Sequence, residues 1–174
     1  MAASIVGMNY SIPDTVATKG PFAPMRFEAT VEECIVTHGE IPKDLAVGIY
    51  RTGPCWKRPM AQGGTPLLAM DGMVQGLVFE NGRADFRNRF IRTPKYLLEE
   101  KYGRSMFEYA DGGFGDYRDY GYGTVKRTPE NAHTPQGTNF INIFPFNGDL
   151  VATVAQEIMV RVPDASDAAP ASEA

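Results

Sequence analysis

The chain has 174 residues, of which 43% are hydrophobic and 22% are charged, and this is the composition of one ordinary globular domain. Its 17 basic residues are scattered among 21 acidic ones, and the net charge of -4 excludes the clustered positive surface that binding to nucleic acid requires. No apolar window approaches the ~18 residues of a membrane span and no secretory leader is recognised, so the sequence predicts a soluble cytoplasmic protein without a transmembrane segment.

The beginning of the chain predicts an irregular arm and two short strands. Residues 1–25 are rich in Pro, Gly and Thr and show no sustained period, which is typical of an arm laid over a larger body. The alternation in "RFEATVEECIV" predicts a strand from Arg26 to Val36, and "GEIPKDL" then predicts a turn. A second strand is predicted from Gly48 to Thr52, because the following Gly53 weakens a ladder and Pro54 lacks an N–H donor.

The stretch "MDGMVQGLVFENGRADFRNRF", residues 70–90, predicts a β-hairpin with its turn at Asn81-Gly82. Both turn residues tolerate the positive φ of a type I′ turn, and a two-residue loop fixes the register of the strands. The register pairs Glu80 with Arg83, Phe79 with Ala84, Leu77 with Phe86 and Met73 with Phe90, and the face that carries the last three pairs is apolar. The opposite face is expected to meet water or a polar neighbour, with the pairs Val78–Asp85, Gly76–Arg87 and Val74–Arg89. Such pairs contribute ~0.2–1 kcal/mol each, so the hairpin must pack on more sheet.

After this hairpin the pattern predicts one short helix and then a loop. The helix is "KYLLEEKYG", with Pro94 suited to the first helical position and Gly103 suited to the end. Residues 109–123, "YADGGFGDYRDYGYG", are too rich in Gly to form a regular core element and predict a surface loop. The aspartates of this loop outnumber its one arginine, which argues against stacking on nucleic-acid bases.

The end of the chain predicts a second hairpin and a tail. Strands are predicted from Asn139 to Phe144 and from Leu150 to Thr153, joined by a turn at Asn147-Gly148. Residues 154–174 end in a stretch rich in Ala, Ser, Asp and Pro, and disorder is expected there because too little apolar surface is available to bury.

No catalytic or phosphate-binding motif is found in the sequence. Cys34 and Cys55 are predicted to be two reduced, packed thiols. His38 and His133 lie in predicted turns, where an exposed or locally hydrogen-bonded histidine is favoured over a metal ligand. Asp71 is a candidate acid at a junction of loop and strand. A structural role in setting the entry turn is favoured, because no second carboxylate or base can be placed beside it.

Taken in order, several motifs resemble the amino-terminal part of the carotenoid cleavage oxygenases, a non-heme iron family that includes stilbene-cleaving enzymes. The motifs are "PFAPMRFEAT", "GEIPKDL", "GIYRTGP", "MDGMVQGLVFENGRADFRNRFIRT" with "KYLLEEKYG", and "GTNFINIFPFNGDLVAT". They cover residues 21–153, and the resemblance is expected to stop at about Thr153. It implies a seven-bladed β-propeller with helices capping one face, and the predicted hairpins agree with such a fold.

The expected fold class is therefore all-β with one short helix, a partial seven-bladed β-propeller that has the first blades only. Residues 1–25 are expected to form the irregular arm, residues 26–153 the incomplete propeller portion, and residues 154–174 the divergent tail. A blade of four strands needs ~40–45 residues, so a chain of this length cannot close the ring. Unclosed blades leave sheet edges exposed, and self-association through these edges is expected.

The resemblance also implies a chemistry, which is oxidative cleavage of a conjugated carbon–carbon double bond in a carotenoid, apocarotenoid or stilbene by Fe(II) and O₂. In the family, four histidines hold the iron and glutamates orient them. This chain has two histidines, and neither falls on a ligand motif of the family. One orienting glutamate is expected near Ala155, but Glu157 stands two places late. No catalytic residue, no metal ligand and no bound iron are therefore expected in this chain.

One substrate-binding residue is implied by the resemblance. Tyr109 stands where some stilbene cleavers have a tyrosine near the phenol of the substrate, and the alternative is a packed loop aromatic. The favoured hypothesis is an amino-terminal part of a dioxygenase, truncated or frame-shifted and inactive alone. Two alternatives stay open: a non-catalytic β-rich binding module or inert remnant, and a small independent β-sandwich.

Overall fold

The computed structural model describes residues 23, 25, 27–58, 70–107, 127–135, 141–153 and 160–162. This part of the chain is mostly β-structure with one short helix, as expected. The elements in chain order are β1 (Ala29–Val31), β2 (Val47–Cys55), β3 (Asp71–Glu80), β4 (Arg83–Phe90), α1 (Pro94–Tyr102), β5 (Asn142–Phe146), β6 (Asp149–Thr153) and β7 (Val160–Arg161).

The backbone forms two compact units, and each is described by itself. The sheet unit consists of residues 26–54, 71–93 and 137–174, and the helix unit consists of residues 1–25, 55–70 and 94–136. Each unit combines segments that are distant along the chain. The division into an arm, a propeller portion and a tail stays a prediction.

The β3–β4 hairpin of the sheet unit has the register predicted from the sequence. Asn81 and Gly82 have φ angles of 53° and 78°, as a type I′ turn requires. Every predicted cross-strand pair is observed, and the ladder continues past β4, where the N–H of Ile91 donates to the carbonyl of Gly72 at 2.8 Å. β1 pairs with β4 and β2 lies beside β3, so the sheet has the order β1-β4-β3-β2. Four strands are the content of one propeller blade.

The two outer strands of this sheet differ from their predicted lengths. β1 is shorter than the predicted strand, because Glu33 has a positive φ of 54° and the chain bends there. The bend is held by the N–H of Glu33, which donates to Asp85 Oδ1 at 2.8 Å. β2 is longer and continues through Gly53 and Pro54. Since β2 lies at an edge of the sheet, the missing N–H of proline is tolerated there.

The second sheet has the order β5-β6-β7. Its hairpin turns at Asn147 and Gly148, as predicted, and their φ angles of 50° and 87° are those of a type I′ turn. β5 runs to Phe146 rather than Phe144, and Pro145 pairs with Leu150. Proline is again tolerated because β5 is an edge strand. Residues 137–140, where the first of these strands was expected to begin, lie outside the described residues.

A third strand, β7, lies within the tail that was expected to be disordered. Val160 pairs with Ala152, and the N–H of Val162 donates to the carbonyl of Leu150 at 2.7 Å. Val160 and Val162 alternate around exposed Arg161, so they point to the same side and give this short segment an apolar face. The expectation of disorder is therefore wrong for residues 160–162.

The core of the sheet unit joins its two sheets. Val74, Ile91, Ala152 and Val162 form the buried cluster, and the half-buried residues packed against it are Ile143, Leu150 and Val160. Val74 is 4% exposed although it lies on the hairpin face that was expected to meet water or a polar neighbour. Burial by the β5–β7 sheet explains the difference, because a long-range contact covers this end of the face.

An ion pair ties the start of β1 to the end of β4 in the sheet unit. Arg92 donates through Nη1 and Nη2 to the two carboxylate oxygens of Glu28, each at 2.8 Å, and the N–H of Phe90 donates to Glu28 Oε1 at 2.6 Å. Burial raises the pKa of the Glu28 carboxyl, but these hydrogen bonds and the charges of Arg92 and Arg89 outweigh burial, so the pKa lies below its ordinary value.

Stability is expected to depend on pH through Glu28. A carboxyl whose pKa is lower in the folded chain stabilises the fold above its ordinary pKa, and this contribution disappears as the pH falls through the lowered value. The difference in unfolding free energy between the native chain and Glu28→Gln should therefore be full at pH 7 and shrink below about pH 4.5. Urea unfolding at a series of pH values measures it, and Arg92→Gln should lose the same dependence. A difference that stays constant with pH contradicts this role.

In the helix unit, α1 begins at Pro94 and ends at Tyr102, as predicted, and Gly103 follows with a φ of 66°. Glu99 is the centre of a buried polar network. Its Oε2 accepts from Lys95 Nζ at 3.0 Å, and its Oε1 accepts from the N–H of Met106 at 3.0 Å. Asn131 then donates through Nδ2 to the carbonyl of Met106 at 2.6 Å. The carboxylate thereby fixes the segment that follows the helix.

The two hairpin glycines provide a test of the turn geometry. Alanine at Gly148 meets open space, so the expected cost is the strain of a positive φ, about 1–2 kcal/mol of unfolding free energy. Alanine at Gly82 adds a contact of 3.3 Å with Lys43 Cγ and should cost at least as much. Gly53→Ala is the matched control, since it has open space without a positive φ. Urea unfolding of the three variants measures the costs, and an equal loss for Gly53→Ala would exclude backbone strain as the cause.

Candidate functional site

A cavity of about 260 Å³ lies between the two sheets of the sheet unit. On one side it is lined by the hairpin face that pairs Val74 with Arg89 and Gly76 with Arg87. These residues share one face because side chains alternate along a strand, and Val78 extends the same row toward the turn. The part of the face expected to meet water or a polar neighbour thus borders this cavity.

Tyr50 of β2 forms another wall, and two glycines make room for its ring. A Cβ atom at Gly76 would lie 2.9 Å from Tyr50 Cε1, and one at Gly48 would lie 2.6 Å from Tyr50 Cε2. Both distances are shorter than real carbon contacts, so only glycine lets the ring lie this close to the backbone. The aromatic ring thereby lies close over β3 at the edge of the cavity, with the residue 45% exposed.

The second sheet supplies the opposite wall. Gly148, Asp149 and Leu150 come from the β5–β6 turn and the start of β6, and Arg161 and Val162 come from the end of β7. Asp149 is the acidic residue of the lining, against the three arginines at positions 87, 89 and 161. The lining of the cavity therefore combines apolar walls with more arginines than carboxylates.

The arginines on β4 differ in their hydrogen bonding. Arg89 Nη1 donates to the carbonyls of Ala29 and Asn88, each at 2.8 Å, and Nη2 donates to Thr30 Oγ1 at 2.7 Å. Arg87 is exposed, and no hydrogen bond or ion pair of its side chain occurs within the described ranges. One guanidinium is thus fixed by the sheet and the other is free to meet a ligand.

The residues singled out in the sequence do not converge on this cavity. Tyr109 and Glu157 lie outside the described residues. Asp71 is 1% exposed at the start of β3, which suits the structural role favoured for it, while His38 and His133 are exposed. The lining residues Tyr50, Arg87 and Arg89 were missed as site residues. The available signal was a pair of arginines two residues apart on one hairpin face, with small Gly76 as the cross-strand partner of Arg87.

Neither cysteine forms a disulfide bond or belongs to a metal cluster among the described residues. Cys55 Sγ lies 3.3 Å from the N–H of Met25, which donates to it, and 3.4 Å from the Met25 carbonyl. Cys34 is half-buried beside β4, where its N–H donates to the carbonyl of Ala84 at 2.7 Å. Both thiols are half-buried, which agrees with the expectation of packed thiols, and their reduced state stays a prediction.

The iron implied by the family resemblance does not fit the described part of the chain. Within those ranges, no group of three or more His, Cys, Asp or Glu side chains could hold a metal ion. The two histidines are exposed, and within the described ranges neither has a hydrogen bond to a carboxylate of the kind that orients a histidine ligand. No helix in the described ranges is both long enough and apolar enough to cross a membrane.

Comparison with known proteins extends the sequence resemblance. The family model described as retinal pigment epithelial membrane protein matches residues 22–165. The expectation that the resemblance stops at Thr153 is therefore wrong, and the match includes the segment that forms β7. The chain is 32% identical over 145 residues to resveratrol cleavage oxygenase 1 of Aspergillus fumigatus, covering 83% of this chain and 26% of that protein.

Two dioxygenases named for lignostilbene are also similar. The chain is 35% identical over 95 residues to lignostilbene-alpha,beta-dioxygenase isozyme III of Sphingomonas paucimobilis, covering 55% of this chain and 19% of that protein. The crystal structure of Pseudomonas brassicacearum lignostilbene dioxygenase matches with a TM-score of 0.59 and 27% identity, covering 81% of this chain and 27% of that one. This chain thus spans about a quarter or less of the length of these proteins. It belongs to the retinal pigment epithelial membrane protein family of carotenoid cleavage oxygenases and forms part of their β-propeller fold.

Proposed function

We propose that this chain supplies the opening blades of a dioxygenase that cleaves a conjugated carbon–carbon double bond with Fe(II) and O₂. The observation that carries the proposal is the family match over residues 22–165, together with a four-stranded sheet of the size of a propeller blade. The three relatives described above are named as oxygenases or dioxygenases. A stilbene is the favoured substrate class, because their names refer to resveratrol or lignostilbene.

In this proposal the chain acts as scaffold, and the iron ligands belong to residues outside it. The two exposed histidines support this division, since four histidines hold the metal in the family. The β3–β4 hairpin and the ion pair between Glu28 and Arg92 position the sheet. No reaction step is assigned to a residue of this chain. The roles of Tyr109 and Glu157, and the cytoplasmic location, stay predictions.

A specific observation also favours self-association as a second candidate. β2 and β5 are edge strands, and large apolar side chains on them are exposed, namely Val47, Ile49, Phe144 and Phe146. Exposed apolar edge strands are templates for pairing with another chain. Sedimentation velocity over a range of concentrations tests this candidate, and a chain that stays monomeric throughout excludes it.

A chimera tests the dioxygenase proposal. Residues 22–165 of this chain replace the matching segment of the Aspergillus fumigatus relative, and the unmodified relative serves as the positive control. We expect a folded chimera that holds stoichiometric iron and cleaves resveratrol, measured by loss of the stilbene absorbance and by chromatography of the products. A chimera with native circular dichroism that retains no iron, or retains iron without cleaving the stilbene, would contradict the proposed role.

A further inference from the structure

The β4 wall of the cavity carries two positively charged side chains. Arg87 and Arg89 line it there, and Asp149, on the opposite wall, is the carboxylate among the lining residues. Two like charges that are two residues apart on one strand repel one another, and a bound anion would relieve this repulsion. An excess of positive charge at such a place favours a bound anion over a cation or a neutral molecule.

Arg89 has unused N–H donors in an orientation that is already fixed, and this suits a planar anion. A guanidinium has five N–H donors. Its Nη1 already has two acceptors and its Nη2 has one, which leaves Nε–H and one N–H of Nη2 without an acceptor in the described ranges. The three existing bonds hold the plane of the group, so little conformational freedom is lost when an anion binds. Arg87, exposed on the same face, adds a second guanidinium, and arginine pairs with carboxylates through two parallel hydrogen bonds.

The remaining walls favour an aromatic ring beside the anionic group. Tyr50 presents its ring over Gly76, and Val74, Val78 and Leu150 complete the apolar lining. Aromatic rings prefer to pack offset or edge-to-face against one another, and a tyrosine at a cavity wall offers this contact. At about 260 Å³, the cavity lies just below the ~300–1,000 Å³ of sites for drug-sized ligands, so it suits a molecule with one ring.

We propose that this cavity binds a small aromatic carboxylate, with the carboxylate between Arg87 and Arg89 and the ring against Tyr50. The proposal concerns residues of this chain alone. It goes beyond the dioxygenase proposal and can fail or succeed independently of it, because it needs neither iron nor cleavage of a double bond.

Benzoate is the probe, titrated into the 174-residue chain labelled with ¹⁵N and followed by amide chemical shifts. We expect saturable shifts that centre on the amides of Gly76 and Gly148, which line opposite walls. Arg87→Gln should weaken binding by about tenfold or more, because a charge-assisted pair of hydrogen bonds is lost. Arg87→Lys keeps the charge without the planar fork and should weaken binding less. Arg51→Gln, which removes an exposed charge of β2 outside the lining, is the matched control and should leave the dissociation constant unchanged.

Two further probes separate the carboxylate from the ring. Benzyl alcohol has a ring of the same size without a charge and should bind about tenfold more weakly than benzoate. Tyr50→Leu should weaken benzoate binding but leave the weaker binding of inorganic phosphate unchanged. Equal losses for Arg87→Gln and Arg51→Gln, equal affinity for benzyl alcohol and benzoate, or absence of saturable shifts at these glycines would each overturn the proposal.

Discussion

Replacing Phe90 with alanine is expected to lower the free energy of unfolding by about 3–5 kcal/mol, the range for deleting a buried aromatic side chain. Phe90 is 0% exposed, and its cross-strand partner Met73 is also buried. The substitution removes the ring and leaves a cavity that the surrounding strands cannot fill by collapse. The backbone bond from Phe90 to Glu28 does not depend on the side chain, so the loss reports packing alone.

Urea unfolding followed by far-ultraviolet circular dichroism measures this loss. Phe146→Ala is the matched control, because Phe146 also lies in a strand but is 56% exposed. Its loss should stay below about 1 kcal/mol, since little apolar area is returned to water. Comparable losses for the two variants would contradict the burial of the Phe90 side chain.

Replacing Glu99 with alanine is the second substitution with a large expected effect, about 3–5 kcal/mol of unfolding free energy. The side chains of Glu99 and Lys95 are 2% and 3% exposed, so the variant removes the carboxylate from a lysine that water hardly reaches. The N–H of Met106 and the hydroxyl of Ser105 also lose an acceptor. Removing one member of a buried ion pair costs far more than an exposed ion pair contributes.

Two variants distinguish this network from a general loss of charge. Glu40→Ala removes an exposed carboxylate and should change the unfolding free energy by less than about 0.5 kcal/mol. Lys95→Met combined with Glu99→Gln removes both charges but retains an acceptor for Met106. This double variant should be more stable than Glu99→Gln alone, as apolar replacement of a buried pair often is. A double variant as unstable as Glu99→Gln would contradict the role of the ion pair.

The hairpins were predictable because their determinants are local. Asn81-Gly82 and Asn147-Gly148 fix the turn type, and a two-residue turn leaves one register for the strands. Every cross-strand pair around Asn81-Gly82 followed from that register and from the alternation of side chains. The helix was predictable for a similar reason, since Pro94 and Gly103 mark its ends within one short segment.

The remaining features depend on contacts between distant segments. Pro54 was expected to stop β2, but whether a strand tolerates proline depends on its place at the sheet edge. Likewise, Val162 lies in a tail of disordered composition, and its burial against Val74 requires two sheets to meet. Neither strand order nor contact between sheets can be deduced from the spacing of residues in one segment.

The candidate site was less predictable than the fold. The sequence placed Arg87 and Arg89 on one face of β4, yet the cavity needs Tyr50 from β2 and Arg161 from β7 as well. The site residues implied by the resemblance, Tyr109 and Glu157, fall outside the described residues and stay predictions. The family could be recognised because the order of several short motifs is specific, although its end was placed too early at Thr153.

Iron content is the most direct measurement for the proposal that this chain is a propeller scaffold whose iron ligands lie elsewhere. The purified 174-residue chain is incubated anaerobically with Fe(II), desalted, assayed for iron and then supplied with resveratrol and O₂. We expect far less than stoichiometric iron and no loss of the stilbene, because the described residues lack a set of metal ligands. Stoichiometric iron that survives desalting, together with cleavage of the stilbene, would contradict the proposal.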